Sequence, residues 1–416
     1  MKNSRDSIWA ILDQGVLSGT RFLTTFLLGK FAVDGELGIY SLAFSLLILF
    51  TTIQESLITT PYQVFFPRES KSYQSRLGGN LLATAMGLAI VGALVLLGWY
   101  CFQNYLPMTT DLSPVLGVLG LSLPFHLFRE FMRRWQFVNR RIKAIAWMDI
   151  GFSILQVTGL FALLGTQRLT ANFAIGVMGI ASVVFSLQCI YSYRQEFAVS
   201  NDTLKHDALR TMRYGQWIVL SNLCAVAQTY FPNWYLASSR DTLRDADIYT
   251  VCFTIALLAN PFLLGVSSLH GPQASRAFVE HGMLGVLKTV VRSLALIVLV
   301  LGSYTLVLSL LGEPLAVMIF GEDFQGQRWP IFWLSLAVLF QGISYIAANG
   351  LCAANHPHLD LWAAVVGLAV SIGSTLMMPS SILTTTIGFC SGVIAMAFFR
   401  LAALYWLQRK LTAESH

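Results

Sequence analysis

SIWAILDQGVLSGTRFLTTFLLGKFAVDGELGIYSLAFSLLILFTTIQESLITTPYQVFFPR, residues Ser7 to Arg68, is two long apolar runs joined by a short link from Lys30 to Glu36. Each run reaches the roughly 20 residues needed to cross a hydrocarbon core about 30 Å thick. Neither shows the alternation, in segments of about ten residues, that marks a barrel strand. Both therefore read as membrane-spanning helices, which satisfy their own backbone hydrogen bonds in lipid. Lys2 and Arg5 ahead of the first run would suit a signal peptide, but Asp13, Gln14 and Arg21 interrupt its apolar stretch, so it is expected to stay with the chain.

The pattern returns near Gly215 to Arg276. At an offset of 209 positions, Ile39, Tyr40, Phe44 and Leu49 fall on Ile248, Tyr249, Phe253 and Leu258, and Ser41, Leu42 and Ser45 on Thr250, Val251 and Thr254. Order and spacing of whole segments repeat as well, which predicts a doubled chain.

The rest of the sequence fits that reading. With 55% hydrophobic and 12% charged residues, and a mean hydropathy of +0.63, it is the composition of an integral membrane protein. About twelve apolar windows can be placed. In the first half they are approximately 8 to 29, 37 to 60, 79 to 101, 113 to 132, 144 to 164 and 172 to 192. In the second half they are approximately 214 to 236, 247 to 269, 289 to 311, 329 to 350, 360 to 378 and 383 to 407. The expected fold is all-α, with two six-helix lobes at 1–200 and 201–416 divided by the polar link Tyr193 to Arg213. Six segments precede that link, so the lobes enter the membrane in the same sense, as in transporters built from parallel repeats.

Of the 27 Lys and Arg residues, 21 lie in the tails and links on the side of the termini, five lie on the other side, and Arg21 falls within the membrane. That bias predicts cytoplasmic termini. It also makes the net charge of +6 a signal of topology, giving no support to a nucleic-acid partner. The six cysteines sit singly in or beside apolar runs and read as packing residues. Trp9, Trp99, Trp147, Trp234, Trp329 and Trp406 near segment ends read as interface anchors.

Polar residues inside spans are the candidate functional groups. Gln14, Ser18, Arg21 and Thr25 are spaced 4, 3, 4 and share a helix face that cannot look at lipid. Arg21 near mid-membrane costs about 2.5 to 3.5 kcal/mol unless a partner or water receives it. It is either a substrate contact or one half of an ion pair with Asp13 or Glu55. Those two acids, with Asp149, are the candidates for binding H⁺ or another coupling ion. Arg129, in the basic exit of the fourth segment, is a further candidate contact for an anionic group, although the positive-inside rule alone would place it there. The second half offers Asn233 and Asn260 as hydrogen-bonding groups, and its buried charges are expected to be lost, since Arg21 and Glu55 correspond to Tyr230 and Leu264. No phosphate-binding loop, nucleophile elbow or metal-ligand spacing is present, so neither catalysis, a cofactor nor a metal is expected.

Asp13-Gln14-Gly15 through Thr24-Thr25-Phe26, then Gly38-Ile39-Tyr40-Ser41-Leu42-Ala43, resembles the opening of polysaccharide export proteins of the O-antigen flippase type. Phe128-Arg129-Glu130-Phe131-Met132-Arg133-Arg134 is similar to the basic exit of their fourth segment. The resemblance implies the superfamily that also holds the MATE drug exporters and lipid II flippases. It implies two six-helix lobes around a central cavity in a bacterial inner membrane, and an undecaprenyl-diphosphate-linked oligosaccharide as substrate. Membrane lipids would be further partners, together with a glycan polymerase or ligase. A cation-coupled drug antiporter and a non-transporting member of a glycan-assembly complex are the alternative expectations.

Overall fold

The computed structural model describes residues 2–66, 69–102, 112–239, 243–354 and 356–414; Arg68 and Arg240, counted above among the link cations, lie outside the described residues. The described elements are α1 (Lys2–Phe31), α2 (Glu36–Gln54), a π-helical turn (Glu55–Thr59), α3 (Thr60–Phe65), α4 (Lys71–Phe102), α5 (Ser113–Val138), α6 (Ile142–Gly165) and α7 (Ala171–Tyr193). They continue with α8 (Asn201–Ser239), α9 (Arg244–Ala256), α10 (Asn260–Phe320), α11 (Arg328–Ala353), α12 (Pro357–Met377) and α13 (Ile382–Glu414). Short 3₁₀ turns occupy Arg194–Glu196, Leu257–Ala259 and Glu322–Phe324, and no strand occurs among the described residues. Joining α2 to α3 and α9 to the first part of α10, which breaks at Gly282, six long helical stretches precede residue 201 and six follow among the described residues. The chain divides into two compact units, Met1–Leu223 and Cys224–His416.

Ten of these stretches are long and apolar enough to cross a membrane. The other two, α1 and α8, carry a denser polar load, including Asp13, Gln14 and Arg21 on one and Asn222, Gln228 and Asn233 on the other. Large apolar side chains such as Leu121, Ile154 and Leu299 point outward, a surface suited to lipid. It is a multi-pass membrane bundle.

The sequence doubling is physical. Tyr40 stacks on Phe44 with ring centroids 5.9 Å apart and planes at 19°, and Tyr249 stacks on Phe253 at 5.9 Å and 18°. Each pair sits one turn apart near the start of its helix, so the matched residues make the same contact in each unit.

Local chemistry sets the breaks. Gly35, at φ 93°, supplies the left-handed residue that turns α1 into α2. Gly282, at φ 61° and ψ −150°, folds α10 into two arms. The two expected segments, 247 to 269 and 289 to 311, are thus continued as helix almost to each other. Pro61 lacks an N–H and crowds the preceding turn, and the π-helical turn directly before it takes up the mismatch. Asn222 Nδ2 donates to Ser56 Oγ in that turn at 3.0 Å, and Gly215 lies flush against its backbone.

In the first unit Ile58, Tyr62, Leu77, Leu81, Phe131 and Trp135 form a buried core. The polar link after α7 is fastened to α4. Asn80 donates to Thr203 Oγ1 (2.9 Å) and Asp207 Oδ2 (2.8 Å) and accepts from the Ser200 N–H (2.9 Å); Tyr73 donates to Asp207 Oδ1 (2.7 Å). At the same end Arg141 donates to Glu196 at 2.7 Å, a bond that raises the guanidinium above its ordinary value.

Candidate functional site

α5 turns three arginines and a glutamate toward acids brought by its neighbours. Residues 129, 130, 133 and 134 span little more than one helical turn, so they can reach partners on several sides at one depth. Arg129 Nη2 lies 3.1 Å from Asp149 Oδ1 on α6 and 3.3 Å from Glu130 Oε1. Arg133 reaches Asp13 Oδ2 on α1 at 2.6 Å, Asp149 Oδ2 at 2.7 Å and Glu130 at 3.8 Å. Arg134 meets Glu55, the first residue of the π-helical turn, at 2.5 Å. Arg129 also lies 3.8 Å over the ring of Phe152, and with Asp149 it is almost wholly buried.

Four carboxylates thus share three guanidiniums. A lone ion in such a place would carry a desolvation penalty of several kcal/mol, which close pairing offsets. Pairing also ties α1, α5 and α6 together at one level, with α2 joined through its π-helical turn. Gln54 donates to the Leu127 carbonyl at 2.9 Å and Gln156 to Thr24 Oγ1 at 3.3 Å, adding neutral rungs beside the charged one.

Arg21 stands apart. It is exposed, with its guanidinium carbon 5.6 Å from the ring centroid of Phe44, and among the described residues it makes no ion pair. Pairing with Asp13 or Glu55 is therefore not what holds it, because α5 has taken both acids. Gln14, two turns before it, is also exposed and donates to Asp13 at 3.3 Å. Thr25 is buried, so the predicted polar stripe is open at Gln14 and Arg21 and closed at its far end.

Comparison with solved structures places this architecture. A multidrug-resistance MATE family transporter of the MOP superfamily, in an inward-facing conformation, matches with a TM-score of 0.70 over 98% of this chain and 95% of its own, at 13% identity. The chain has the MATE transporter fold. A mutant of the Vibrio cholerae MATE transporter VcmN matches with a TM-score of 0.69 over 97% of this chain and 95% of its own, at 16% identity. A MOP superfamily transporter from Pyrococcus furiosus matches with a TM-score of 0.68 over 99% and 96%, at 13% identity. No family model matches the sequence, and no curated protein does.

Within the MATE fold the second unit holds the remaining candidates. Asn233, on α8, is buried and its Oδ1 lies 3.5 Å from Thr250 Oγ1 on α9. Asn260 is half-buried at the start of α10, directly after the 3₁₀ break and before Pro261. The second half does not lose its buried charges. Arg400 on α13 lies 2.8 Å from Asp360 on α12 and donates to Ser344 Oγ on α11 at 2.5 Å. Its position near the C-terminal end of an apolar run made it read as a link cation; a carboxylate on the adjacent helix draws it inside.

The sequence reading also passed over Glu130, Arg133 and Arg134 as members of the charged layer. The signal available was spacing: Arg129 and Arg133 are one turn apart, and an i, i+4 pair of arginines with a glutamate between them presents one dense charged face that needs acids opposite.

Proposed function

We propose that this chain is a membrane exporter that carries an undecaprenyl-diphosphate-linked oligosaccharide from one leaflet to the other by alternating access. The observation that supports the reading is the distribution of partners around α5. Asp13, Glu55 and Asp149 each lie against an arginine, whereas Arg21 is an exposed cation with no acid of its own among the described residues. A carboxylate already paired with a guanidinium offers a cation such as Na⁺ less than a free one, while a cation inside a membrane bundle is a natural seat for a diphosphate. Exposed Gln14 on the same helix can hydrogen-bond sugar hydroxyls. For the Pyrococcus furiosus neighbour, reverse polarity of the binding pocket suggests a different function.

On this reading the protein lies in a bacterial cytoplasmic membrane with both termini inside, and a glycan polymerase or ligase takes the product. The test is transfer of a fluorescent polyprenyl-diphosphate oligosaccharide across liposomes containing the purified protein, read by a quencher confined outside. Transfer in wild type, loss in Arg21→Ala and partial retention in Arg21→Lys is the expected pattern. No transfer, together with proton- or sodium-driven movement of a cationic dye, would replace the reading with a drug antiporter.

A further inference from the structure

The second unit carries a trough that the transport reading leaves unused. Where Gly282 reverses α10, the two arms enclose a cavity of about 1110 Å³. The first arm contributes Val266, His270 and Gln273 to its wall, and the second contributes Lys288, Arg292 and Leu296. His270 is buried and braces the arms, its Nδ1 lying 2.9 Å from Ser293 Oγ across the gap. At the mouth Glu280 lies 3.8 Å from its neighbour His281.

Lys288 and Arg292 are one turn apart on the same face, both exposed, and among the described residues neither has an ion-pair partner. Continuing along that face at spacings of four, three, seven and four from Arg292, the helix presents Leu296, Leu299, Leu306 and Leu310, all exposed. One face of one helix therefore runs from two cations in the trough to a leucine stripe suited to lipid. Helices that alternate across a membrane put the Gly282 turn on the same membrane face as the C-terminus, so the cations sit at the headgroup level of one leaflet and the leucines beneath it.

We propose that this trough binds an anionic membrane phospholipid, its phosphate held by Lys288 and Arg292 and its acyl chains laid along the leucine stripe. Basic pockets between helices near the membrane surface recognise lipid phosphates in this way. A zwitterionic lipid, whose phosphate is already balanced by its own ammonium, gains less from the same two cations. The site is independent of what the first unit transports.

The test is native mass spectrometry of the full-length protein in detergent, titrated with phosphatidylglycerol or phosphatidylcholine of matched chains. Two membrane-proximal cations correspond to a preference of about 30-fold for the anionic lipid. That preference should fall to near unity in a Lys288→Gln, Arg292→Gln double variant and persist in Lys288→Arg, Arg292→Lys, which keeps both charges. Equal binding of the two lipids by wild type overturns the proposal whatever the variants do, as does an unchanged preference in the glutamine variant. Two further arms separate sources of the same chemistry. Stronger retention of a polyprenyl phosphate than of phosphatidylglycerol overturns the phospholipid assignment, and displacement of phosphatidylglycerol by millimolar inorganic phosphate overturns the need for an amphiphile.

Discussion

Asp149→Asn isolates the charged layer of the first unit with little change of shape. Asp149 is fully buried and receives Arg129 at 3.1 Å and Arg133 at 2.7 Å. Removing one partner of a buried ion pair costs about 3 to 5 kcal/mol, because a charge is left unpaired in a low dielectric. Here Arg129 keeps Glu130 at 3.3 Å and Arg133 keeps Asp13 at 2.6 Å, which points to the lower end, about 3 kcal/mol. Hydrogen bonds between membrane helices average only ~0.6 kcal/mol, so a loss of that size would come from the weakened pairing of two buried guanidiniums and not from the bonds themselves. The matched control is Glu55→Gln. Its pair with Arg134 is about one-third exposed on each side, and such pairs contribute at most about 1 kcal/mol. Unfolding both variants and wild type in mixed micelles of rising SDS fraction, followed by far-ultraviolet circular dichroism, gives the comparison. The midpoint should fall clearly for Asp149→Asn and barely for Glu55→Gln. If Glu55→Gln costs as much as Asp149→Asn, burial does not set the energetics of this layer.

Other perturbations test other parts of the molecule. A Cβ on Gly215 would collide with the Ser56 carbonyl and lie 2.8 Å from Leu57 Cα, so Gly215→Ala should destabilise the first unit by about 1 to 3 kcal/mol in the same titration. Arg400→Met removes the guanidinium that meets Asp360 at 2.8 Å in the second unit and should cost about 3 kcal/mol, whereas an Arg400→Met, Asp360→Leu pair should cost less than Arg400→Met alone. Asp207→Ala removes the acceptor shared by Tyr73 and Asn80 and should raise amide hydrogen exchange in residues 194–207 without changing it in α6, as read by mass spectrometry.

What could be read from the chain, and what could not, follows from the range of the interactions involved. Hydropathy is a property of neighbouring residues, and it located the helices. The doubling was legible because Tyr40 and Phe44 recur at one fixed offset as Tyr249 and Phe253, with the same ring contact in each unit. Gly282 was not legible as the single turn in α10: the residues flanking it are amphipathic, too polar for a span on hydropathy alone but still good helix formers. Arg21 stood out because a cation in mid-span is rare. The partners of Asp13 and Glu55 did not, since Arg133 and Arg134 are some 80 to 120 positions away and only the fold brings them near. Arg400 shows the same limit in the other unit, its acid lying on the preceding helix and its hydroxyl partner on the one before that.

The charge balance around Arg21 separates the two transport readings most sharply through Asp13. With all four acids ionised, the layer of Asp13, Glu55, Glu130 and Asp149 against Arg129, Arg133 and Arg134 holds one more negative than positive charge. Asp13→Asn makes it even, and leaves Arg133 on Asp149 and Glu130. Asp13 and Arg21 are eight residues apart on one helix, about 12 Å at 1.5 Å per residue. At an effective dielectric near 20, removing that negative charge improves the binding of an anion beside Arg21 by up to about 1.4 kcal/mol, or about tenfold. Transfer of the diphosphate-linked substrate should therefore be kept or increased in Asp13→Asn, with no dependence on an imposed proton or sodium gradient. In a cation-coupled antiporter that uses Asp13, the same change removes the coupling group and stops transport. Liposomes carrying wild type or Asp13→Asn, assayed with and without each gradient, distinguish the two, and loss of transfer in a variant that still folds and inserts would refute the flippase reading.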